Sequence, residues 1–206
     1  MSFDQITEKI ARHFSARLLE HGPTAQGVDW NSEEAQTLRF TQLARVLPSG
    51  ETFSVIDYGC GYGALLRFLE GFTTDFNYEG FDISSDMIEQ ARRDHGGARR
   101  RFTTSEADLA PADFALASGI FNLKLDTSVD EWTDYVLHTL NRLDRLCKRG
   151  FAFNMLTSYS DTEHMRSDLY YGDPLRFFDH CKTRFSKQVA LLHDYGIFDF
   201  TILVRK

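Results

Sequence analysis

The sequence predicts a three-layer α/β sandwich in which helices cover both faces of a mostly parallel, seven-stranded sheet. Segments with a helical period of apolar residues alternate with short β-rich segments, which is the pattern of a parallel sheet with crossover helices. The last two β-rich segments, 188–193 and 198–204, are separated by only four residues. A parallel crossover needs a longer connection, so we expect this final pair to form an antiparallel hairpin.

Two helices are predicted before the sheet begins. Apolar residues recur every four positions from Ile6 to Leu18, which predicts an amphipathic helix over residues 3–20. Asn31 or Ser32 can cap a second helix that runs to about residue 47. The other predicted helices lie at 64–70, 85–95, 130–148 and 174–183.

Runs of β-branched and aromatic residues predict the strands. The first five of the seven lie at 52–57, 76–82, 99–104, 113–118 and 151–156. Gly150 precedes the fifth strand, and we expect it to end the helix before that strand. Phe accounts for 18 of the 206 residues and recurs inside these runs, so we expect much of it to pack between sheet and helices.

Composition narrows the class of protein before any motif is considered. A chain of 206 residues with 14% aromatic residues suits one folded domain, which we expect to span residues 1–206. The formal net charge of −7 disfavours nucleic acid as a partner. No apolar run is long enough for a membrane span, and the first residues do not resemble a signal peptide. Three widely spaced cysteines fit neither a disulfide framework nor a metal site, so we expect a cytoplasmic protein without a metal.

The centre of the sequence is a glycine-rich turn between a strand and a helix. In Asp57-Tyr58-Gly59-Cys60-Gly61-Tyr62-Gly63, glycines alternate at a position where the backbone can reach positive φ and approach a ligand closely. The helix that follows directs free N–H groups at that ligand. Asp82 follows at the end of the next strand, where a carboxylate can bind ribose hydroxyls. This arrangement predicts a nucleotide site.

Two kinds of nucleotide ligand fit the turn. The spacing of Gly59, Gly61 and Ala64 also matches the dinucleotide fingerprint, which leaves an NAD-dependent oxidoreductase as an alternative. That fingerprint usually opens its domain, whereas about fifty residues precede the turn here. Asp57 would repel a pyrophosphate, which favours a ligand that carries positive charge.

At these residues the chain resembles the class I S-adenosylmethionine-dependent methyltransferases. The resemblance rests on Asp57-x-Gly59-x-Gly61-x-Gly63, on Gly80-Phe81-Asp82-Ile83-Ser84 and on the segment 113–119. It covers roughly residues 30–206 and implies a Rossmann-like fold with S-adenosyl-L-methionine as the cofactor. Residues 1–48 would then form an N-terminal helical lid on a core of residues 49–206.

The resemblance also implies roles for single residues. The turn Gly59–Gly63 would lie under the methionine part and the ribose of the cofactor, and Asp57 would orient its amino group. Asp82 would bind both ribose hydroxyls, and Ile83 would pack on adenine. Each of these residues is therefore predicted to bind the cofactor.

Further cofactor contacts are predicted on both sides of this motif. Glu106, with Asp108 as its rival, would meet the adenine amino group, and Ser118 lies at the end of the fourth strand. Trp30 would cover the cofactor, and Arg39 would pair with the cofactor's carboxylate. The alternative for Arg39 is a solvated surface residue.

The residues that contact the molecule that accepts the methyl group can be predicted from topology, because ligands of such sheets bind at the carboxyl ends of the strands. Asn122 follows the fourth strand and His193 the sixth, so we predict that both serve the acceptor. The segment 157–173 follows the fifth strand as a candidate substrate lid, and Tyr159 in it could accept a proton.

These features together predict methyl transfer to an O, N or C atom of a small molecule. Three alternatives stay open: an RNA or protein methyltransferase, the NAD-dependent oxidoreductase, and a cofactor-binding subunit without catalysis. The sequence also leaves open whether the chain forms a homodimer.

Overall fold

Seven strands form one mixed sheet in the computed structural model, which describes residues 2–73 and 75–206. The strands are β1 (Phe53–Tyr58), β2 (Phe76–Phe81), β3 (Arg100–Thr103), β4 (Ala112–Ala117), β5 (Cys147–Leu156), β6 (Gln188–Leu192) and β7 (Asp199–Arg205). Their order is β3-β2-β1-β4-β5-β7-β6. The first five are parallel, and β7 pairs antiparallel with both β5 and β6. The predicted sheet and its terminal hairpin are confirmed.

Within the described residues, six α-helices cover the sheet. They are α1 (Phe3–His21), α2 (Glu33–Ala44), α3 (Ala64–Phe72), α4 (Ser85–His95), α5 (Val129–Leu146) and α6 (Pro174–Arg184). Side-chain caps start several of them, because the first N–H groups of a helix have no partner within it. The Ser32 hydroxyl accepts from the Ala35 N–H and the Ser84 hydroxyl from the Met87 N–H, so both caps begin helices where the sequence predicts them.

Apolar side chains form two clusters on opposite faces of the sheet. Side chains alternate along β1, so Phe53 and Val55 join one cluster while Ile56 and Tyr58 join the other. The first cluster includes Leu43, Leu66 and Ile88 from α2, α3 and α4, and the second includes Ile6, Trp132 and Phe177 from α1, α5 and α6. The result is the three-layer arrangement that the alternation of elements predicts.

The expected role of Gly150 is wrong. Helix α5 ends at Leu146 and β5 begins at the next residue, so Gly150 lies inside β5, opposite Arg205 of β7. A Cβ atom at Gly150 would lie 2.4 Å from the carbonyl oxygen of Val204. Glycine is therefore required here by the close approach of a neighbouring strand, which a reading of the local sequence cannot distinguish from a helix stop.

The N-terminal helix belongs to the domain core. Ile6 and Ile10 of α1 are buried in the cluster that contains Trp132. The hydroxyl oxygens of Ser15 and Ser84 lie 2.9 Å apart, which joins α1 to the start of α4. Helix α1 is thereby anchored beside the carboxyl end of β2, where the predicted ligand site lies.

The structure can also be compared with the sequence for membrane-spanning helices and for cysteine pairing. No helix within residues 2–73 and 75–206 is both long and apolar enough to cross a membrane. Cys60, Cys147 and Cys181 are buried free thiols.

Candidate active site

The glycine turn after β1 is fixed by contacts with the end of β2. Gly59, Gly61 and Gly63 have φ values of 84°, 52° and 94°, a region in which residues with a Cβ atom are strained. The N–H groups of Gly59 and Cys60 both donate to the carbonyl oxygen of Phe81, at 2.7 and 2.9 Å. The turn therefore lies directly beside the acid that follows β2.

Asp82 joins the glycine turn to the loop before α4. Its carboxylate accepts hydrogen bonds from the backbone N–H groups of Gly61 at 2.8 Å and Ser84 at 2.9 Å. Burial raises the pKa of Asp82, although both hydrogen bonds oppose this shift. Asp82 and Ile83 lie on the wall of one cavity together with Gly59 and Gly61, so these predicted residues share one site.

Asp57 is a buried acid beneath the turn. The Tyr78 hydroxyl donates to Asp57 Oδ2 at 2.6 Å. Burial raises the pKa of Asp57 to about 7, the charge of Asp82 adds to this shift, and the Tyr78 hydrogen bond opposes it. Such a carboxyl gains most when a positive charge binds next to it, since that charge favours the ionised form.

Glu106 is joined to the same cavity through an aromatic residue. Tyr58 donates its hydroxyl to Glu106 Oε2 at 2.9 Å, and Arg142 forms an ion pair with the same oxygen. Tyr58 lines the cavity. Asp108, the rival acid, is exposed and accepts from the Thr103 hydroxyl at 3.3 Å. Of the two acids, Glu106 is the one connected to the cavity wall.

Trp30 and Arg39 stack on each other above the end of β4. The Arg39 guanidinium lies 4.2 Å from the centroid of the Trp30 ring. A Cβ atom at Gly119 would lie 2.3 Å from that ring, so only glycine lets the indole rest here. Arg39 is buried and forms a two-point ion pair with Asp199, at 3.0 and 2.5 Å. Its partner in the structure is thus Asp199, where the sequence suggested a cofactor carboxylate or solvent.

Trp30 lines several cavities, and two of them form the site described here. The smaller one, of about 90 Å³, adjoins the glycine turn and also reaches Ser118; we call it the cofactor pocket. The larger one, of about 820 Å³, extends over the ends of β4 and β5 to the connection between β6 and β7; we call it the acceptor cavity. Phe14, Val28, Trp30 and Gly119 line both. The two spaces therefore share one boundary.

The three predicted acceptor residues lie at or near the acceptor cavity. Asn122 and His193 line it, and the ring of Tyr159 lies 5.8 Å from that of His193. Tyr159 is exposed, whereas Asn122 is buried. Asn122 Oδ1 accepts from the Leu156 N–H at 3.0 Å, which ties the loop after β4 to the end of β5.

Two sets of hydrogen bonds that shape these cavities are not predicted by the sequence. Asp29 is held from α1, with Arg17 Nε at 2.6 Å and His13 Nε2 at 2.5 Å. Asn154 is buried in β5 and accepts the N–H of Gly119 at 2.7 Å. These partners are 12 to 35 positions apart, so no local motif marks them.

Known proteins are similar to this chain in sequence. A family model described as a methyltransferase domain matches residues 55–150. A Mycobacterium tuberculosis protein that is named only as a methyltransferase is 50% identical over 165 residues, which make up 79% of this chain and 98% of that protein. A malonyl-[acyl-carrier protein] O-methyltransferase of Brevibacillus brevis is 27% identical over 120 residues, and the match spans 58% of this chain and 43% of that protein.

A solved structure agrees on the fold. Human N-acetylserotonin methyltransferase in complex with S-adenosylmethionine superposes with a TM-score of 0.66 at 16% identity, over 100% of this chain and 60% of that one. The extent and identity of the mycobacterial match, together with the glycine turn and Asp82 at the ends of adjacent strands, establish the family. The chain belongs to the class I S-adenosylmethionine-dependent methyltransferases, with S-adenosylmethionine as its cofactor.

Proposed function

We propose that this methyltransferase acts on a small molecule bound in the acceptor cavity. The observation that carries the proposal is the position of that cavity, which adjoins the cofactor pocket at Trp30 and Gly119. Its volume of about 820 Å³ lies within the range of about 300–1,000 Å³ that is usual for small-molecule sites. A methyl acceptor placed there would lie next to the cofactor.

The residues around the glycine turn fit S-adenosylmethionine. The turn offers backbone without a Cβ atom, Asp82 offers a carboxylate for ribose hydroxyls, and the buried Asp57 suits a positive charge. Ile83 and Ser118 line the same pocket and complete the proposed contacts together with Glu106. When bound, the cofactor supplies a methyl group attached to a positively charged sulfur. After the methyl group is transferred, that sulfur is part of a neutral thioether.

Within residues 1–48, the segment between α1 and α2 is proposed to act as a lid. The cofactor pocket, at about 90 Å³, is smaller than the usual range for small-molecule sites. Val28 and Trp30 line it, and a Cβ atom at Gly61 would lie 3.4 Å from Val28 Cγ1. We expect Val28 and Trp30 to move aside when the cofactor binds.

Asp57 makes cofactor binding depend on pH. A cationic amino group next to Asp57 favours its ionised form, so affinity for S-adenosylhomocysteine should increase about tenfold from pH 6 to pH 8, as Asp57 loses its proton near pH 7. The folded pKa lies above the unfolded value, so the free energy of unfolding contributed by Asp57 is highest at low pH and is lost as pH rises through about 7. Calorimetry at pH 6, 7 and 8 measures the affinity.

The matched variant for this prediction is Asp57→Asn, which keeps the shape and cannot ionise. Its affinity should change less with pH than that of the wild type, and at pH 8 it should unfold at a higher temperature. An identical pH slope in both proteins would show that Asp57 does not face the cofactor's amino group.

On the acceptor side we propose distinct roles for the three predicted residues. His193 accepts the proton that an acceptor hydroxyl or amine loses, and Tyr159 positions the imidazole through their ring contact. Asn122 positions the floor of the cavity through its hydrogen bond to the Leu156 N–H. His193→Asn should therefore lower the rate of transfer to an acceptor that must lose a proton.

The test of this proposal is where the methyl group goes. The protein is incubated with methyl-labelled S-adenosylmethionine and a cell extract that has been separated into metabolites, RNA and protein. We expect label to accumulate in the metabolite fraction, and Asp82→Ala protein should give much less at the same cofactor concentration. Label that accumulates in RNA or protein instead would overturn the proposal, and the absence of label from every fraction would favour a subunit without catalysis.

A further inference from the structure

The walls of the acceptor cavity carry charged side chains that are already neutralised by partners within the protein. From this we infer that the acceptor presents an uncharged reacting group, a hydroxyl on an apolar body, and not a carboxylate or a phosphate. The inference rests on the proposed small-molecule function, and it narrows the acceptor to one chemical class.

The inner wall of the acceptor cavity contains a deeply buried ion pair between Arg39 and Asp199. Arg39 donates through Nε and Nη2 to the two carboxylate oxygens of Asp199, at 3.0 and 2.5 Å, and through Nη1 to the Ala35 carbonyl oxygen at 3.0 Å. One face of the guanidinium is covered by Trp30. The side chains of Arg39 and Asp199 are 9% and 0% exposed. An anionic acceptor would have to separate this buried pair to gain a cation beside the cofactor pocket.

The outer wall is balanced in the same way. Asp29 is paired with Arg17 and His13 from α1. Arg166 donates to both oxygens of Asp168, at 3.0 and 2.5 Å. The two charged side chains at the outer wall, Asp29 and Arg166, are therefore each paired with an opposite charge.

Between these pairs, apolar side chains form a large part of the cavity wall. Phe14, Leu123, Leu156, Leu169, Ile197 and Phe198 line it. Such a surface binds the body of a ligand through buried apolar area, and a planar ring can pack against aromatic side chains. The body of the acceptor should therefore be apolar.

A hydroxyl acceptor also matches the proton chemistry of the site. When the oxygen–methyl bond forms and the sulfur–methyl bond breaks, the sulfur takes the bonding electron pair and the hydroxyl releases one proton. The imidazole of His193, on the same wall, is the group that accepts this proton. A carboxylate acceptor would have no proton to release and would leave this imidazole without a role.

The inference separates this chain from one of its relatives. The Brevibacillus relative is named for malonyl-[acyl-carrier protein], and a malonyl group ends in a carboxylate. The paired charges of this cavity disfavour an acceptor of that kind.

Binding of two probes that share one naphthalene ring system tests the inference without any need for turnover. In the presence of S-adenosylhomocysteine at pH 7.5, we expect 1-naphthol to bind saturably and 1-naphthoate to bind at least tenfold more weakly, as measured by calorimetry. Equal or tighter binding of 1-naphthoate would overturn the inference. Failure of both probes to bind would overturn it too, since the cavity must accept an apolar body.

Three variants show whether the probes report on this cavity. Ile197→Trp should fill the cavity and abolish 1-naphthol binding, whereas Leu175→Trp, on the exposed face of α6, should leave it unchanged. Asp168→Asn frees Arg166 at the outer wall and should strengthen 1-naphthoate binding several-fold without changing that of 1-naphthol. If 1-naphthoate does not respond to Asp168→Asn, charge pairing is not what excludes anions.

This experiment and the labelling experiment fail independently. Label in RNA or protein would overturn the small-molecule function even if 1-naphthol binds in preference to 1-naphthoate. Label in a carboxylate metabolite would overturn the inference and leave the small-molecule function in place.

Discussion

Replacing Asp199 by alanine should lower the free energy of unfolding by about 3–5 kcal/mol, because it leaves the Arg39 guanidinium buried without its counter-charge. Arg39 is held between α2, the first residue of β7 and the Trp30 ring, so it cannot reach solvent without disturbing all three. Urea denaturation followed by circular dichroism measures the change. Asp194→Ala, an exposed acid in the connection before β7, is the matched control and should alter the value little.

A double variant separates loss of charge balance from loss of packing. Arg39→Met with Asp199→Leu removes both charges and should recover most of the lost stability, since a buried ion pair can be replaced by apolar side chains of similar volume. The Arg39→Met protein alone should be as unstable as Asp199→Ala. A loss of less than about 1 kcal/mol in both single variants would show that the pair is solvated and that its energy is that of a surface salt bridge.

Replacing Asp82 by alanine should weaken binding of S-adenosylhomocysteine by about tenfold to a hundredfold. Each hydrogen bond to a charged group is worth about 1.5–3 kcal/mol, and the variant removes the carboxylate that would bind ribose. It also removes the acceptor that holds the Gly61 N–H at 2.8 Å, so the turn itself loses a contact. Calorimetric titration measures the affinity.

Asp86→Ala is the control for this variant. Asp86 is an exposed acid four residues along the chain, in the first turn of α4, and its removal changes the net charge equally. We expect its affinity for S-adenosylhomocysteine to match the wild type. If Asp82→Ala also binds normally, Asp82 is not a cofactor residue.

The cofactor side of the site could be predicted from sequence because its geometry is local. The turn Gly59–Gly63 directly follows β1, and Asp82 directly follows β2, which is parallel to β1 with Tyr58 opposite Phe81. Parallel pairing of two consecutive strands is enough to bring the turn and the acid together. Spacing along the chain therefore translates directly into proximity.

The acceptor side could not be predicted in the same way. Arg39 and Asp199 are 160 positions apart, and they meet only because β7 inserts between β5 and β6 and begins beneath α2. Asn122 could be assigned to the loop after β4, but its hydrogen bond to Leu156 depends on how that loop packs against the end of β5. A single sequence contains no signal for such long-range contacts.

Gly150 shows a related limit of prediction from local sequence. Its requirement for a small residue comes from Val204 on a strand 54 positions later, whereas the local sequence around it resembles a helix end. The sequence predicts that Trp30 covers the cofactor, and in the structure the Trp30 ring lies against Gly119, which has no side chain.

Titration of the wild-type chain with S-adenosylhomocysteine and, separately, with NAD tests the central claim most directly. That claim is that the turn after β1 and the acid after β2 form a site for S-adenosylmethionine. It predicts saturable one-to-one binding of S-adenosylhomocysteine and no heat of binding from NAD. Saturable binding of NAD, with S-adenosylhomocysteine inert, would contradict it.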